Sequence, residues 1–388
     1  MEYKIKTLNA ISSAIYTQLD EKYKVADDVT HPQAVLVRSA SMHETPIDDS
    51  VLCIARAGAG YNNIPVDACS EKGICVFNTP GANANAVAEM VLAGMLLSCR
   101  NIVGGIEWAR TLKGEGDKVA ALVEKGKGQF VGHELKGKTL AVIGLGAIGT
   151  MVANTGHALD MEVYGYDPFL SVDHALMLSR SVHKATDLDK LLGQADIVSL
   201  HLPLMDKTRG MVNADYLSRM KDGAVLLNFS RGELADSAAV LSALESGKLS
   251  RYVTDFPSDE MLCAKGVIAI PHLGASTPES EDNCAEMAAR ELADYLTRGA
   301  IANSVNYPAC DPGYTDGVRL CVLHANVPNM VGAITAHLAG KGINIANMVN
   351  KSRAAVAYTV IDADSAIDPE TVAAVASIEN VYKVRLIG

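Results

Sequence analysis

No run of basic residues, no Cys-x-x-Cys pair and no uncharged apolar stretch of membrane-spanning length occurs in this 388-residue sequence. Each absence removes a class of function. Nucleic-acid binding rests on clustered Lys and Arg that displace counterions. Here 34 basic side chains face 45 acidic ones, for a formal net charge of −11. An anionic small substrate remains compatible, because a few arginines in a cleft override the net field locally. Eight cysteines (Cys53, Cys69, Cys75, Cys99, Cys263, Cys284, Cys310 and Cys321) are scattered without ligand spacing, which argues against zinc, and no metal is expected. A chain of this size needs no disulfide framework, so reduced thiols in a reducing compartment are expected. The start, Met1-Glu2-Tyr3-Lys4-Ile5-Lys6, has no apolar signal core. The expectation is a cytoplasmic protein with neither nucleic-acid nor membrane partners.

What is present is globular: 49% hydrophobic and 20% charged residues, in a chain long enough for two or three domains and a cleft. Short apolar runs at 34–37, 51–55 and 74–77 alternate with mixed segments, the sign of βα repetition. Between them, Arg56-Ala57-Gly58-Ala59-Gly60-Tyr61-Asn62-Asn63 is a glycine-rich turn suited to close backbone approach of a ligand, although a tight turn alone satisfies the same pattern. After Asn78-Thr79-Pro80-Gly81, the residues Val87, Val91, Leu92, Met95 and Leu96 recur at helical spacing and predict a helix linking two domains. The stretch 104–137, with the single tryptophan Trp108, suits an excursion or arm.

Lys138-Thr139-Leu140-Ala141-Val142-Ile143 predicts a buried strand that leads into Gly144-Leu145-Gly146-Ala147-Ile148-Gly149, with a helix beginning near Ala147. Further strands are predicted at 162–165, 197–200, 225–228, 251–254 and 267–270, giving a doubly wound α/β sheet. Residues 303–317 are rich in Asn, Pro, Asp and Gly and predict a linker. Beyond it the order strand, helix, strand, strand, helix, strand is ferredoxin-like βαββαβ.

A Gly-x-Gly-x-x-Gly between strand and helix is a dinucleotide signature. The first glycine permits the turn, the second admits the pyrophosphate, the third lets helix and strand pack, and the helix N-terminus faces the phosphates. Asp167, 18 positions after Gly149, ends the next strand, where a carboxylate accepts hydrogen bonds from ribose hydroxyls and repels the extra phosphate of NADP. NAD is therefore the expected cofactor, against the plainer reading of a solvated acid at a strand end. Hydride removal from a secondary alcohol further needs a base, a cation for the carboxylate or carbonyl, and a carboxylate to tune the base. Arg231 in Asn228-Phe229-Ser230-Arg231-Gly232-Glu233 and His272 in Pro271-His272-Leu273-Gly274-Ala275-Ser276-Thr277 fill the first two needs. The third falls in Thr254-Asp255-Phe256-Pro257-Ser258-Asp259-Glu260. Taken singly, each also fits a structural turn residue or a surface pair.

With Gly132-His133-Glu134-Leu135-Lys136-Gly137-Lys138-Thr139-Leu140, His201-Leu202-Pro203-Leu204 with Thr208, and Met220-Lys221-Asp222-Gly223-Ala224 in the same order, nearly the whole chain resembles the D-isomer-specific 2-hydroxyacid dehydrogenases. The resemblance implies two doubly wound Rossmann-like and flavodoxin-like domains with a cleft between them. It divides the chain into a substrate domain (1–92 with 278–303), an NAD domain (93–277), a linker (304–317) and a C-terminal ferredoxin-like unit (318–388). It assigns Arg231 to substrate polarisation, His272 to acid/base work and Glu260 to its support, with Asp259 as the alternative because the family's following proline is missing. Cofactor contacts fall on Gly144, Gly146, Ala147, Ile148, Gly149, Asp167, His201, Pro203, Thr208, Ser230, Asp255 and Gly274. Substrate contacts fall on Arg38, Arg56, Gly58 and Asn83.

The implied substrate is 3-phospho-D-glycerate, with glycerate or hydroxypyruvate dehydrogenases and a non-enzymatic NAD-sensing corepressor as rival readings. The C-terminal unit resembles an ACT domain, in which His324, Asn326 and Asn344 match residues that bind L-serine between paired modules. The loop glycine usual after the proline is here Asn329, which tolerates unusual backbone angles. A homodimer or homotetramer is implied as well.

Overall fold

Each short apolar run among the first eighty residues becomes a strand of a parallel sheet. The computed structural model describes residues 2–388. Its first sheet contains β1 (Tyr3–Leu8), β2 (Tyr23–Ala26), β3 (Ala34–Val37), β4 (Cys53–Arg56) and β5 (Cys75–Asn78), joined before β5 by helix α1 (Val66–Glu71). The spatial order β2-β1-β3-β4-β5 is flavodoxin-like. β3 is buried at all of its positions, as a parallel strand covered on both faces should be. β1 and β2 are absent from the sequence expectation: Lys4, Lys6 and Lys24 interrupt them, and only Ile5 of β1 is fully buried.

The chain divides into two compact units, one formed by residues up to Asn83 together with Pro278–Gly388 and the other by Ala84–Thr277. The second opens with α2 (Ala84–Cys99), α3 (Ile102–Thr111) and α4 (Val119–Gly126). It continues through β6 (Thr139–Ile143), α5 (Ala147–Ala158), β7 (Glu162–Tyr166), α6 (Val172–Met177), β8 (His183–Lys184), α7 (Leu188–Gln194) and β9 (Ile197–Leu200). It ends with α8 (Ala214–Arg219), β10 (Ala224–Asn228), α9 (Ser237–Glu245), β11 (Leu249–Thr254) and β12 (Val267–Ala269). These strands form a seven-stranded parallel sheet in the order β12-β11-β10-β9-β6-β7-β8, a Rossmann arrangement whose direction reverses between β6 and β9. α3 and α4 bury no residue, and Ile102, Val103, Ile106, Val119 and Val123 are exposed. The 104–137 excursion is thus a helical arm, with Trp108 packed on Phe130.

The first unit resumes with the 21-residue α10 (Pro278–Arg298) and ends in β13 (Val318–Ala325), α11 (Met330–Gly340), β14 (Ile345–Arg353), β15 (Val356–Ala363), α12 (Pro369–Ala376) and β16 (Val381–Ile387). The four strands among these last six elements form an antiparallel sheet, β14-β15-β13-β16, and the six follow the ferredoxin-like succession. Both faces of the sheet's central strands, β13 and β15, are buried. Leu320, Val322 and Ile361 pack on Ile334, Leu338 and Val375 of its helices. Cys321, Leu323, Tyr358 and Val360 join the core built on Ile5, Leu36, Phe77, Leu292 and Tyr295. Arg385 and Arg319 of the sheet donate to the last carbonyls of α10: Arg385 to Tyr295 O at 2.6 Å and Leu296 O at 3.1 Å, Arg319 to Arg298 O at 2.6 Å. Cations there complement the helix C-terminus. Arg319 is also ion-paired with buried Asp362 at 2.6 Å.

Residues within the expected linker are built into the same unit. Ser304 bridges Phe77, Val305 N donates to Val76 O at 2.8 Å, and Tyr307 is fully buried. No single helix among the described residues is long and apolar enough to cross a membrane.

Candidate active site

Because every strand of the seven-stranded sheet runs parallel, all their carboxyl ends open on one edge. The polar residues singled out in the sequence follow those ends in spatial order. His272 comes after β12, Asp255 after β11, Arg231 after β10, His201 after β9, the glycine turn after β6 and Asp167 after β7. At roughly 4.8 Å per strand this row is about 24 Å long, and it crosses the switch point where such sheets bind ligands.

The glycine turn has the shape that a dinucleotide needs. Gly144 holds φ 94°, and a Cβ there would lie 2.4 Å from the His201 carbonyl oxygen. A Cβ on Gly149 would lie 1.9 Å from the Gly144 oxygen, so only glycine lets α5 approach the turn. A Cβ on Gly146 would meet nothing within 4 Å. That open space lies at the start of α5, where Ala147 and Ile148 begin the helix and its amides favour an anion. Asp167 braces the turn: its Oδ2 accepts from Leu145 N at 2.8 Å and its Oδ1 from Phe169 N at 2.8 Å. A carboxylate offers about four acceptor sites, which leaves capacity for ribose hydroxyls.

Two substitutions separate folding from binding. Gly149→Ala is expected to destabilise the protein by about 1–3 kcal/mol or more through overpacking. Gly146→Ala is expected to keep the wild-type Tm and lose NAD affinity about tenfold, because its methyl occupies the ligand's space. Thermal unfolding and an NAD titration check both; equal NAD affinity in Gly146→Ala would contradict the placement.

His201 shares a 2.8 Å hydrogen bond with Ser199 Oγ through Nε2, and burial pushes its imidazole down to about 3, so it stays neutral. Thr208 Oγ1 donates to Pro203 O at 2.7 Å and accepts from Met205 N at 2.8 Å, fixing the loop beyond β9. Ser230 Oγ donates to Leu200 O at 2.7 Å, tying the turn after β10 to β9.

Fully buried Asn228 shapes the next turn. Its Nδ2 donates to Arg231 O at 2.9 Å and its Oδ1 accepts from Ser230 N at 3.2 Å. The Arg231 side chain is exposed, with Nη1 on Ser230 O at 2.6 Å. Asp255 is 2% exposed; its Oδ2 accepts from Gly274 N at 3.1 Å, while Oδ1 has no partner among the described residues. Burial raises its carboxyl, against the Gly274 amide and the nearby His272 and Arg231. His272 adopts φ 39°, held by hydrogen bonds from its N to Asp255 O and Ile270 O, each 3.0 Å, and its ring lies 4.5 Å from that of Phe256. Glu260 accepts from Ser258 Oγ at 2.8 Å, and among the described residues no hydrogen bond or ion pair joins Glu260 or Asp259 to His272. Asn228 and Phe256 were visible only as motif neighbours; nothing in the sequence marked Asn228 as a buried brace or Phe256 as the ring beside His272.

In the other unit, the Arg56 guanidinium covers Gly58, whose φ is 142° and whose Cβ would lie 1.9 Å from Arg56 Nη1. Arg56 Nε donates to Arg38 O at 3.1 Å, and the Arg38 guanidinium is ion-paired with Glu281 of α10. Buried Thr79 accepts from Gly58 N at 2.7 Å, a brace that the sequence did not mark, and half-buried Asn83 follows in the same turn.

The C-terminal candidates are dispersed. His324 is buried, with Nδ1 on Ala325 O at 2.7 Å and Nε2 on Thr359 Oγ1 at 2.8 Å; burial lowers its pKa. Asn326 Nδ2 donates to Ala354 O at 3.0 Å, and Asn344 Nδ2 to Asp364 Oδ2 at 2.9 Å. Ala325 pairs with Val356 and Ile345 with Ala363, so Asn326 and Asn344 sit at opposite ends of the sheet, about 23 Å apart along β15. Asn329 takes φ 70°, the left-handed conformation expected of the missing glycine.

Residues 92–274 match the family model for the D-isomer specific 2-hydroxyacid dehydrogenase, NAD binding domain. The D-3-phosphoglycerate dehydrogenase of Escherichia coli is 31% identical over 404 residues, covering 98% of this chain and 95% of that one. That of Archaeoglobus fulgidus is 33% identical over 299 residues, 74% of this chain; the match takes in 53% of the relative, so the chain spans about half its length. Among solved structures, NAD+-bound 3-phosphoglycerate dehydrogenase of Entamoeba histolytica superposes with a TM-score of 0.60 at 26% identity, over 79% of this chain and 99% of that one.

Proposed function

The chain belongs to the D-isomer-specific 2-hydroxyacid dehydrogenases, and on that premise we propose that it oxidises 3-phospho-D-glycerate to 3-phosphohydroxypyruvate with NAD as cofactor. One observation carries the choice of substrate. The Escherichia coli relative of that name matches 98% of this chain, the C-terminal unit included.

The chemistry that bound NAD would supply is acceptance of the hydride from C2. The glycine turn and the start of α5 would hold its pyrophosphate, Asp167 its adenosine ribose, and the unpartnered Oδ1 of Asp255 would accept from its nicotinamide amide. Ser230, His201, Pro203, Thr208 and Gly274 shape the cradle between. Arg231, whose planar fork suits a carboxylate, turns from Ser230 O to the substrate and donates two parallel hydrogen bonds. His272 takes the hydroxyl proton as the hydride departs. Glu260, or Asp259, leaves its resting place to steady the imidazolium once substrate is bound. Arg38, Arg56, Gly58 and Asn83 form the substrate side.

A panel of 3-phospho-D-glycerate, D-glycerate and D-lactate, each with NAD and NADP, ranks the readings. Phosphoglycerate with NAD is expected to give the highest kcat/KM, and a higher value for an unphosphorylated acid would overturn the substrate assignment.

Cytoplasmic residence and a closed homo-oligomer belong to the same proposal. The unpartnered apolar arm of α3 and α4 supports the oligomer. L-Serine is the proposed effector. With Asn326 and Asn344 at opposite ends of one sheet, a site using both draws them from two copies, and His324 exchanges an internal partner for the ligand. Calorimetry on the full chain is expected to show saturable serine binding; no heat at millimolar serine would count against the effector.

A further inference from the structure

A buried acid lies behind the substrate-side turns. Glu291 of α10 is 5% exposed; its Oε1 accepts from Asn303 Nδ2 at 2.7 Å and its Oε2 has no partner among the described residues. Burial lifts the carboxyl to about 7, against the Asn303 amide and the charge of Arg290. An unpaired acceptor in such a place costs stability, so the side chain is there for what its other oxygen holds.

Asn303 stands at φ 49°, a left-handed turn that aims the following residues along β5. Its carbonyl accepts from Asn78 N at 3.5 Å, and Ser304 bridges Phe77. Asn78 in turn reaches across with Nδ2 to Ala59 O at 2.6 Å, and its neighbour Thr79 exchanges hydrogen bonds with both the N–H and the carbonyl of Gly58. The chain of contacts therefore runs from Glu291 through Asn303 to the ends of β4 and β5, which carry Arg56, Gly58 and Asn83.

We infer that Glu291 is a positioning residue that sets substrate affinity by pinning Asn303, and through it the turns at 56–60 and 78–83. The inference rests on the proposal that these turns meet the substrate. Glu291→Leu removes the acceptor. It is expected to raise the KM for 3-phospho-D-glycerate about tenfold, the weight of one buried hydrogen bond, with kcat and the KM for NAD near wild type. Glu291→Gln keeps a carbonyl oxygen for Asn303 and is expected to restore the wild-type KM. Asn303→Gly accommodates φ 49° while deleting the amide; it should reproduce Glu291→Leu, and the double variant should be no worse than either.

Hydrogen exchange reads the positioning without turnover. Amides of 56–60 and 78–83 should exchange faster in Glu291→Leu and at the wild-type rate in Glu291→Gln. Faster exchange with an unchanged KM would show that the turns do not meet the substrate, which overturns the substrate-side reading. Unchanged exchange, or equal KM increases for substrate and NAD, would overturn the positioning role itself.

Discussion

His272→Ala is expected to lower kcat by about 10²–10⁴-fold, the usual worth of a positioned general base, with the Kd for NAD near its wild-type value. The proposed pyrophosphate and adenosine-ribose contacts follow β6 and β7, whereas His272 stands at the far end of the row, after β12. Its backbone at φ 39° strains any residue with a Cβ, so the alanine variant mixes a lost imidazole with a strained turn. His272→Gly relieves the strain and serves as the control. If the imidazole matters, glycine is as inactive as alanine; if the turn geometry matters, glycine recovers activity. Steady-state assays with equilibrium NAD titrations check both, and substantial turnover by either variant would remove His272 from the mechanism.

Removing residues 318–388 is expected to abolish cooperative folding of the first unit. The small sheet contributes Cys321, Leu323, Tyr358 and Val360 to the same core as Phe77, Leu292 and Tyr295. It also supplies Arg385, stacked 4.4 Å from the Tyr295 ring and bonded to the end of α10, and Lys383, which donates to Val51 O at 2.7 Å. At about 1.5–3 kcal/mol for each large side chain returned to water, the loss rivals the whole stability of a typical domain, about 5–15 kcal/mol. The full-length variant Tyr358→Ala is the milder form of the same test. It deletes a fully buried ring and its 2.8 Å bond to Gly299 O, and should cost about 3–5 kcal/mol in urea unfolding. A soluble truncated protein with a wild-type unfolding transition would contradict this integration.

That integration was not legible in the sequence. The strands of the C-terminal unit are readable because their apolar runs are long and bounded by turn residues, but which face of a sheet meets another element is decided by partners far apart in the chain. Cys321 and Tyr358 read as ordinary strand residues until α10 is brought against them. Residues 304–310 read as a linker from their Asn and Pro content, and only Asn306, with its oxygen on Val76 N and its amide on Ile74 O, reveals why they lie along β5. The glycine turn, Asp167, Arg231 and His272 were legible for the opposite reason: each lies immediately after a recognisable strand, and parallel strands bring their ends to one edge. The carboxylate was not, because Asp259 and Glu260 lie in a one-turn helix whose orientation no periodicity predicts, and the structure leaves Glu260 on Ser258.

The proposed reaction is hydride transfer from C2 of a phosphorylated hydroxyacid to NAD at this row of strand ends. Incubation with NAD and 3-phospho-D-glycerate deuterated at C2 tests it most directly, with mass spectrometry of the nucleotide and the acid. The expected result is one reduced, deuterated nicotinamide for each 3-phosphohydroxypyruvate formed. Reduced nicotinamide without deuterium, or none at all under conditions where NAD is bound, would contradict it.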